Sequence, residues 1–518
     1  MRVLLVRPAR TPQSVTLGEI MFSEPLGLEM VAAVLKATYE VEILDLMAVE
    51  AAGKKGAADR ALAQKLEVFK PQVVGLTSLC VDVPAVRRLA AMVKAWAPEA
   101  VVVVGGTQAF LNPEAFSIPE VDAVLQISTQ ERLKGLFREI EKFLGEGDGD
   151  RDGDGDGRCK FTLSSGTEFK LVTGTNSNLV TGTRLETVSD TDSKLGTVTD
   201  LQISPNPHTN DYWLPDRTAT QAWRHQYAYF GFRPCAIMQT SQGCSAHCDF
   251  CLRWRMEGPC ERDFPMDFVM ADLKAIEEPS VMIFDNDFLN NGERLQEFCK
   301  ALDKETITKN FICYASVHSI LKNPEAILNF RDHGLKAVLV GYESFSDAEL
   351  AAYKKPSRAQ DAVKAANWLK EAGIDVWASF MLHPDWTPAD FKALRRHIKR
   401  LAPEIATFSP LTPFPGLPLY KHYQKEGRLL FEKEDYSAWS FGQVVVRPVN
   451  MSLCAYYFEV LKTVLYLNFI SNHMSYITKK FGAATLLRMS KGAVRVFFRY
   501  VGLMLGAGKA PSRESKLK

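Results

Sequence analysis

The stretch TSQGCSAHCDFCLRW, residues 240–254, sets three cysteines within eight positions: Cys244, Cys248 and Cys251, spaced C-x3-C-x2-C. So dense a run of thiols reads as a metal-ligand set. Iron–sulfur cubanes ordinarily take four cysteines. Three thiolates hold three corners and leave the fourth iron open to a small molecule. A zinc ion would need a fourth protein ligand, and Cys235, His247 and Cys260 are the candidates. Coincidence of unrelated thiols is the remaining reading.

The surroundings weigh these alternatives. With aromatic Phe250 just before the last cysteine, the motif resembles the signature of the radical SAM superfamily, and the resemblance runs on for nearly 200 residues. It implies a 4Fe–4S cluster whose open iron binds the amino and carboxylate groups of S-adenosylmethionine (SAM), with Phe250 packed on the adenine. MIFDNDFL (282–289) is similar to the acidic end of the family's second strand, which makes Asp285 and Asp287 contacts for SAM or nearby loops. KAVLVGYESFSDAELAAYKK (336–355) is similar to the fourth strand with its Glu-Ser pair, here Glu343 and Ser344. GIDVWASFMLHPDWTPADF (373–391) is similar to the fifth, with Ser379 on the SAM-facing side. The Pro-rich segment 407–429 is similar to the one that closes the barrel. Strand–helix repeats across 235–425 fit a partial (β/α)6 barrel with its chemistry at the carboxyl-end loops. Each carried residue has a plainer reading: Asp285 as a helix cap, Glu343 as an ion-pair partner.

Ahead of the motif, short apolar runs alternate with helical patterns. VLLV (3–6), VEIL (41–44), VVGL (73–76), VVVV (101–104) and AVLQI (123–127) read as buried parallel strands. The segments between them carry helical apolar spacing. Such alternation predicts an α/β domain with a doubly wound (Rossmann-like) sheet and a ligand at the carboxyl ends of its strands. Gly105-Gly106 follows the most apolar run, as a tight turn or a close backbone approach requires. EPLGLEMVAAVLKATYEVEILDL and VVGLTSLCVDVPAVRRLAAMVKAWAPEAVVVVGGTQAF resemble the cobalamin-binding domain found ahead of many radical SAM enzymes. That resemblance places Thr77, Ser78, Leu79, Gly105, Gly106, Thr107 and Gln108 beside the corrin ring. Gln108 stands where the family often has His, and Ile127-Ser128-Thr129-Gln130 replaces a later acidic-Gly motif. The first histidine of the chain is His208, so no histidine from this domain ligates the cobalt. Cys80, next to the loop, reads as a buried structural cysteine.

Length and composition bound the rest. At roughly 150 residues per domain, 518 residues make about three domains. Net charge is +1, which excludes a nucleic-acid binder that works by bulk charge. Ten cysteines are too few for a disulfide scaffold. MRVLLVRPAR lacks the apolar core and cleavage site of a signal peptide, and no apolar run reaches 18 residues, so the expected compartment is the cytoplasm. The near-zero charge is a cancellation. Residues 145–200 hold 11 acidic and 6 basic residues, and residues 471–518 hold 10 basic and 1 acidic. The acidic part opens as GEGDGDRDGDGDGR. A calcium loop on Asp150, Asp152, Asp154 and Gly155 would put Phe161 where its bidentate Glu belongs, so a solvated linker is the better reading.

The expected domains are 1–142, a cobalamin-binding-like Rossmann domain; 143–212, an acidic linker or insert; 213–425, the radical SAM barrel; and 426–518, a helical C-terminal part. In the last, Arg488, Lys491, Arg495 and Arg499 fall on one helix face. A basic amphipathic helix of this kind lies on an anionic membrane, or else packs on the barrel with its charges in water.

Together the two resemblances imply a cobalamin-dependent radical SAM enzyme similar to class B methyltransferases. The implied reaction is methylation of an unactivated carbon. A hydrogen-abstracting radical would come from SAM at the cluster, and cobalamin would carry the methyl group. An oxidative cyclisation or rearrangement on the same architecture is the alternative, and a non-catalytic zinc scaffold the alternative of a different class. A methylthiotransferase would need a second cysteine triad, where the N-terminal domain has only Cys80. The expected partners are a small-molecule, lipid or peptide substrate and an electron donor such as flavodoxin or ferredoxin, with no nucleic acid.

Overall fold

A computed structural model describes residues 1–9, 21–53, 56–126, 129–145, 212–471 and 474–506. The acidic segment with Asp150, Asp152 and Asp154, the LVTGT repeats, and Ile127 with Ser128 lie outside the described residues. The chain divides into two compact units, and the division is not a single cut: residues 21–26 belong with those from 221 onward.

In the N-terminal unit the five apolar runs are strands, all parallel: Arg2–Arg7, Glu40–Asp45, Val73–Thr77, Val101–Gly105 and Ala123–Val124. They read as unbroken apolar runs because both faces are covered; Val3, Val73, Val74 and Val102 are wholly buried. Numbered along the chain, the strands lie in the order 2-1-3-4-5, so the connection direction reverses between the first and the third. In such a sheet the ligand crevice opens at the carboxyl ends beside that reversal. The covering helices bury the residues their periodicity marks, such as Val86, Leu89, Ala90 and Val93 in Val83–Trp96. The short helix Leu46–Ala52 was not expected. Asp45 starts it by accepting from the backbone N–H groups of Met47 and Ala48 at 3.0 and 3.1 Å.

In the second unit six parallel strands lie side by side in chain order: Cys235–Met238, Ser280–Ile283, Asn310–Ala315, Leu335–Glu343, Asp375–Leu382 and Ile405–Pro410. Each leads to a helix, as six βα repeats require. Alternate residues face inward. Cys235, Ile237, Met282, Ile312, Ala337, Trp377 and Ile405 form one apolar layer with Tyr229 and Phe230, which fills the amino-end floor of the barrel. Phe230 lies 4.4 Å from Trp377 between ring centroids. Phe232, Tyr476 and Phe481 pack against the same layer. Gly231 sits at φ +112°, and a Cβ there would lie 2.6 Å from the Phe481 ring.

Residues 21–26 complete this unit. Met21–Phe22 pairs antiparallel with Ala228–Tyr229. Glu24, buried, accepts from Arg224 Nη1 at 2.7 Å and from the backbone N–H of Ile237 at 2.6 Å. Arg224 Nε also meets Glu278 at 2.5 Å. Past the barrel, residues 426–452 are mainly irregular, with helices Leu453–Tyr466 and Met474–Gly506 beyond them. The second helix breaks at Gly482, φ 80°.

Candidate functional site

The cysteine loop leaves the carboxyl end of the first barrel strand. Cys244 and Cys251 are half-buried, Cys248 is buried, and all three are free thiols. The loop holds its own backbone. Cys244 N–H donates to Gly258 O at 3.2 Å, Cys251 N–H to Cys248 O at 3.1 Å, and Trp254 Nε1 to Cys248 O at 2.9 Å. Asn286 Nδ2 donates to Gly243 O and to Glu257 Oε2, each at 2.7 Å. Gly243 has φ +88°, and a Cβ there would collide with the Cys260 carbonyl.

Of the candidate fourth ligands only Cys235 lies away from the loop, since His247 is part of it and the Cys260 backbone packs against Gly243. Cys235 is sealed in the barrel floor, where burial pushes its thiol well up. His247 donates through Nε2 to the Pro259 carbonyl at 2.6 Å. Cys260 is exposed. Among the described residues no three His, Cys, Asp or Glu side chains gather closely enough for one metal ion. Zinc would need a fourth protein ligand gathered with the three thiols, whereas a cubane with one open iron takes only three. The donor set therefore fits a three-cysteine cluster. Burial pushes the Cys248 thiol up to about 11 and raises Cys244 too. A bound iron holds such thiols deprotonated.

Phe250 meets the Tyr353 ring edge-on at 5.6 Å. Asp285, buried, accepts from Thr240 N–H at 2.7 Å, Thr240 Oγ1 at 2.5 Å and Ser241 Oγ at 2.8 Å. Its carboxylate thus binds the stem of the cysteine loop. The next helix, Gly292–Glu305, is capped by Asn291 instead. Burial pushes Asp285 up to about 6, against those hydrogen bonds. Asp287 accepts from Ser316 N–H at 3.0 Å and Ser319 Oγ at 2.5 Å.

Glu343 has φ 61° at a register shift in its strand and forms a 3.1 Å ion pair with Lys355. Burial would lower the Lys355 ammonium, but Glu343 and the nearby Cys248 outweigh it, and it stands at about 12. Ser344 is fully buried and donates to Glu349 at 2.5 Å. Ser379 alternates with buried Ala378 and Phe380 and faces inward, half-buried.

One inward residue escaped the sequence reading. Gln239 continues the parity of Cys235 and Ile237, and its Nε2 is buried with no hydrogen-bond partner among the described residues. By the same parity Phe284, Tyr314, Leu339, Ser379 and Thr407 share its layer above the floor. The Tyr314 and Tyr229 hydroxyls hydrogen-bond each other. Lys355 was also missed. The signal for Gln239 was available in strand parity, whereas Lys355 lies a whole helix beyond Glu343.

In the N-terminal unit, Thr77–Leu79 and Gly105–Gln108 end neighbouring strands and interlock. Ser78 N–H donates to Gly105 O at 2.9 Å, and Gln108 N–H to Ser78 O at 3.1 Å. Gly106 has φ +94°, and a Cβ there would lie 2.8 Å from Ser78 N, Ser78 O and Thr77 Oγ1. Leu79 is 54% exposed at the rim, while the Ser78 and Gln108 side chains are buried. Gly106 thus lets the two loops pack against each other, and the exposed Leu79 offers an apolar face that suits a large flat ligand. Cys80 is buried, and that burial pushes its thiol up to about 12, as a structural cysteine.

Comparison with known proteins gives each unit a family. The Radical SAM superfamily model matches residues 238–398, and the B12 binding domain model matches residues 21–136. The hopanoid C-3 methylase of Methylococcus capsulatus is 25% identical over 487 residues, 92% of this chain and 83% of that one. An anaerobic magnesium-protoporphyrin IX monomethyl ester cyclase of Cereibacter sphaeroides is 24% identical over 222 residues, 41% of this chain and 35% of that one. The structure of OxsB, a cobalamin-dependent SAM radical enzyme with aqua-cobalamin and SAM bound, shares the fold. Its TM-score is 0.61 at 14% identity, over 95% of this chain and 72% of that one. With a B12-binding domain ahead of a radical SAM domain, this chain is a cobalamin-dependent radical SAM enzyme whose cofactors are a 4Fe–4S cluster, SAM and cobalamin.

Proposed function

We propose that the enzyme methylates an unactivated carbon of an apolar substrate, of the polycyclic lipid class to which hopanoids belong. The observation that carries this is the extent of the likeness to the hopanoid C-3 methylase, which takes in 92% of this chain. The cyclase likeness takes in 41% and supports the second reading, a radical cyclisation. Apolar inward residues Phe284, Tyr314 and Leu339 suit a hydrocarbon skeleton.

When bound, the cluster with SAM supplies a hydrogen-abstracting radical, and cobalamin supplies a methyl carrier. Cys244, Cys248 and Cys251 would hold the cluster. Phe250, Asp285, Glu343, Ser344 and Ser379 would form the SAM surroundings, with Asp285 acting through the loop stem it fixes. Thr77–Leu79 and Gly105–Gln108 would hold cobalamin. The aromatic floor at Phe230 and Trp377 excludes water from below the reacting centre. Gln239 Nε2 offers the lumen a donor for a polar atom of substrate or SAM. A cytoplasmic flavodoxin- or ferredoxin-type donor delivers the electron.

The test is anaerobic purification, cluster reconstitution and addition of cobalamin, with an isolated hopanoid lipid as substrate. A corrinoid spectrum, and 5′-deoxyadenosine and S-adenosylhomocysteine in equal amounts, is the expected result. Deoxyadenosine without S-adenosylhomocysteine favours cyclisation. SAM cleavage that survives Cys251→Ala overturns the assignment.

A further inference from the structure

The surface of the last helix is the wrong chemistry for water. From Thr485 onward the exposed positions among the described side chains are Leu487, Lys491, Val494, Arg495, Phe498, Gly502 and Leu505. Steps of three and four, with Arg495 directly beside Val494, place them along one stripe. A helix packed on a soluble core turns polar residues outward. Here Leu487, Val494, Phe498 and Leu505 are 59, 54, 66 and 80% exposed, at spacings of 7, 4 and 7. The opposite side is already used: Thr485, Gly492 and Tyr500 are buried, and Arg499 reaches Gln443 at 3.2 Å. Just before this helix, Phe469 and Ile470 are also largely exposed.

Charge indicates what covers the stripe. Helix Met474–Gly506 contains six Lys or Arg residues and no Asp or Glu in 33 residues. Lys491 and Arg495 lie within the exposed stripe itself, beside Val494 and Phe498. A stripe that is apolar at its centre and cationic at its flank complements the headgroup region of a negatively charged bilayer. The break at Gly482 and the cations at 488, 491, 495 and 499 are unsuited to crossing the hydrocarbon layer.

From this we infer that Leu487, Val494, Phe498 and Leu505 insert side-on into an anionic lipid surface, with Lys491 and Arg495 on its phosphates. The inference rests on the helix surface and is independent of the reaction catalysed.

The experiment is flotation of the full-length, anaerobically purified enzyme with lipid vesicles. The enzyme is expected to float with vesicles of phosphatidylglycerol and phosphatidylcholine in equal parts, and to remain unbound with phosphatidylcholine alone. Val494→Asp with Phe498→Asp should abolish flotation. Lys491→Ala and Arg495→Ala should each weaken it about fivefold, and added salt should weaken it further. Iron content and far-UV circular dichroism identify any variant that fails to fold, and the single-cation variants then carry the test. No flotation with anionic vesicles overturns the inference, as does flotation unchanged in the folded aspartate pair. So does a stable dimer of the native chain that the aspartate pair disperses, since a second copy would then cover the stripe.

Discussion

Asp285 accepts from both the backbone N–H and the hydroxyl of Thr240, at 2.7 and 2.5 Å. The end of the second barrel strand thus fixes the point where the chain enters the cysteine loop. Asp285→Ala should therefore loosen the loop without touching a cysteine. Residues that orient metal ligands from behind typically contribute 10- to 100-fold in affinity or activity. The expected outcome is a loss of about that size in cluster retention, read as iron and sulfide per chain after reconstitution and desalting. Full cluster content in the folded variant would refute this role.

Gly341 leaves the room in which Glu343 folds back toward Lys355. A Cβ at Gly341 would collide with the Glu343 carboxylate and lie 3.1 Å from Lys355 Nζ. Gly341→Ala should displace the carboxylate, and Glu343→Gln should keep its shape while removing its charge. With Glu343 as a SAM contact, both should lower SAM affinity about tenfold, measured by equilibrium dialysis on the reconstituted enzyme. Unchanged affinity in both would leave the Glu343–Lys355 pair a purely structural one.

Gln239 carries a buried donor that has no hydrogen-bond partner among the described residues. Such a group costs about 1–3 kcal/mol, so Gln239→Leu should preserve or raise the denaturation midpoint. Product formation should fall at the same time. A variant both less stable and fully active would show that the amide serves packing and not a ligand.

His397 is wholly buried in helix Pro388–Leu401, and burial followed by Arg400 holds its imidazole down at about 4. Arg400 donates to its Nδ1 at 3.3 Å, so the ring is neutral with the proton on Nε2. Because the folded pKa lies below the unfolded one, the unfolded chain binds the extra proton. The stability is complete above about pH 6.5 and is lost as the pH falls toward 4. Roughly 3 kcal/mol at most is at stake. Urea midpoints across this window should fall for the native chain and stay flatter for His397→Gln.

The legible parts of the fold were those set by local pattern. Continuous apolar runs marked strands because both faces of a parallel sheet are covered, and the cysteine spacing marked the loop that leaves the barrel. The helix at Leu46–Ala52 was missed because its signal is one cap, Asp45, at the end of a strand. The ion-pair reading of Glu343 was visible, but its partner was not, since Lys355 comes near only after helix Asp347–Ala352 is built. The sequence makes Asp285 a contact for SAM or nearby loops, or else a helix cap, and a loop contact is what the structure shows without the sequence naming its partner. Its bond to Thr240 spans 45 positions and depends on two strands lying side by side. Periodicity carries no information about such pairs.

Residues 21–26 make the barrel unit discontinuous in the chain. Glu24 and Arg224 stand 200 positions apart, so a ribosome releases one half of this latch long before the other. Until Arg224 arrives, Glu24 lacks this ion pair, and the latch that joins it to the first barrel strand is incomplete. The same topology governs dissection of the enzyme. A fragment begun at residue 213 would lack Glu24, leaving Arg224 with Glu278 and the Ile237 N–H without its acceptor. Removing one member of a buried ion network costs about 3–5 kcal/mol. A truncated radical SAM barrel should therefore express as aggregate, and supplying the 21–26 segment should restore it.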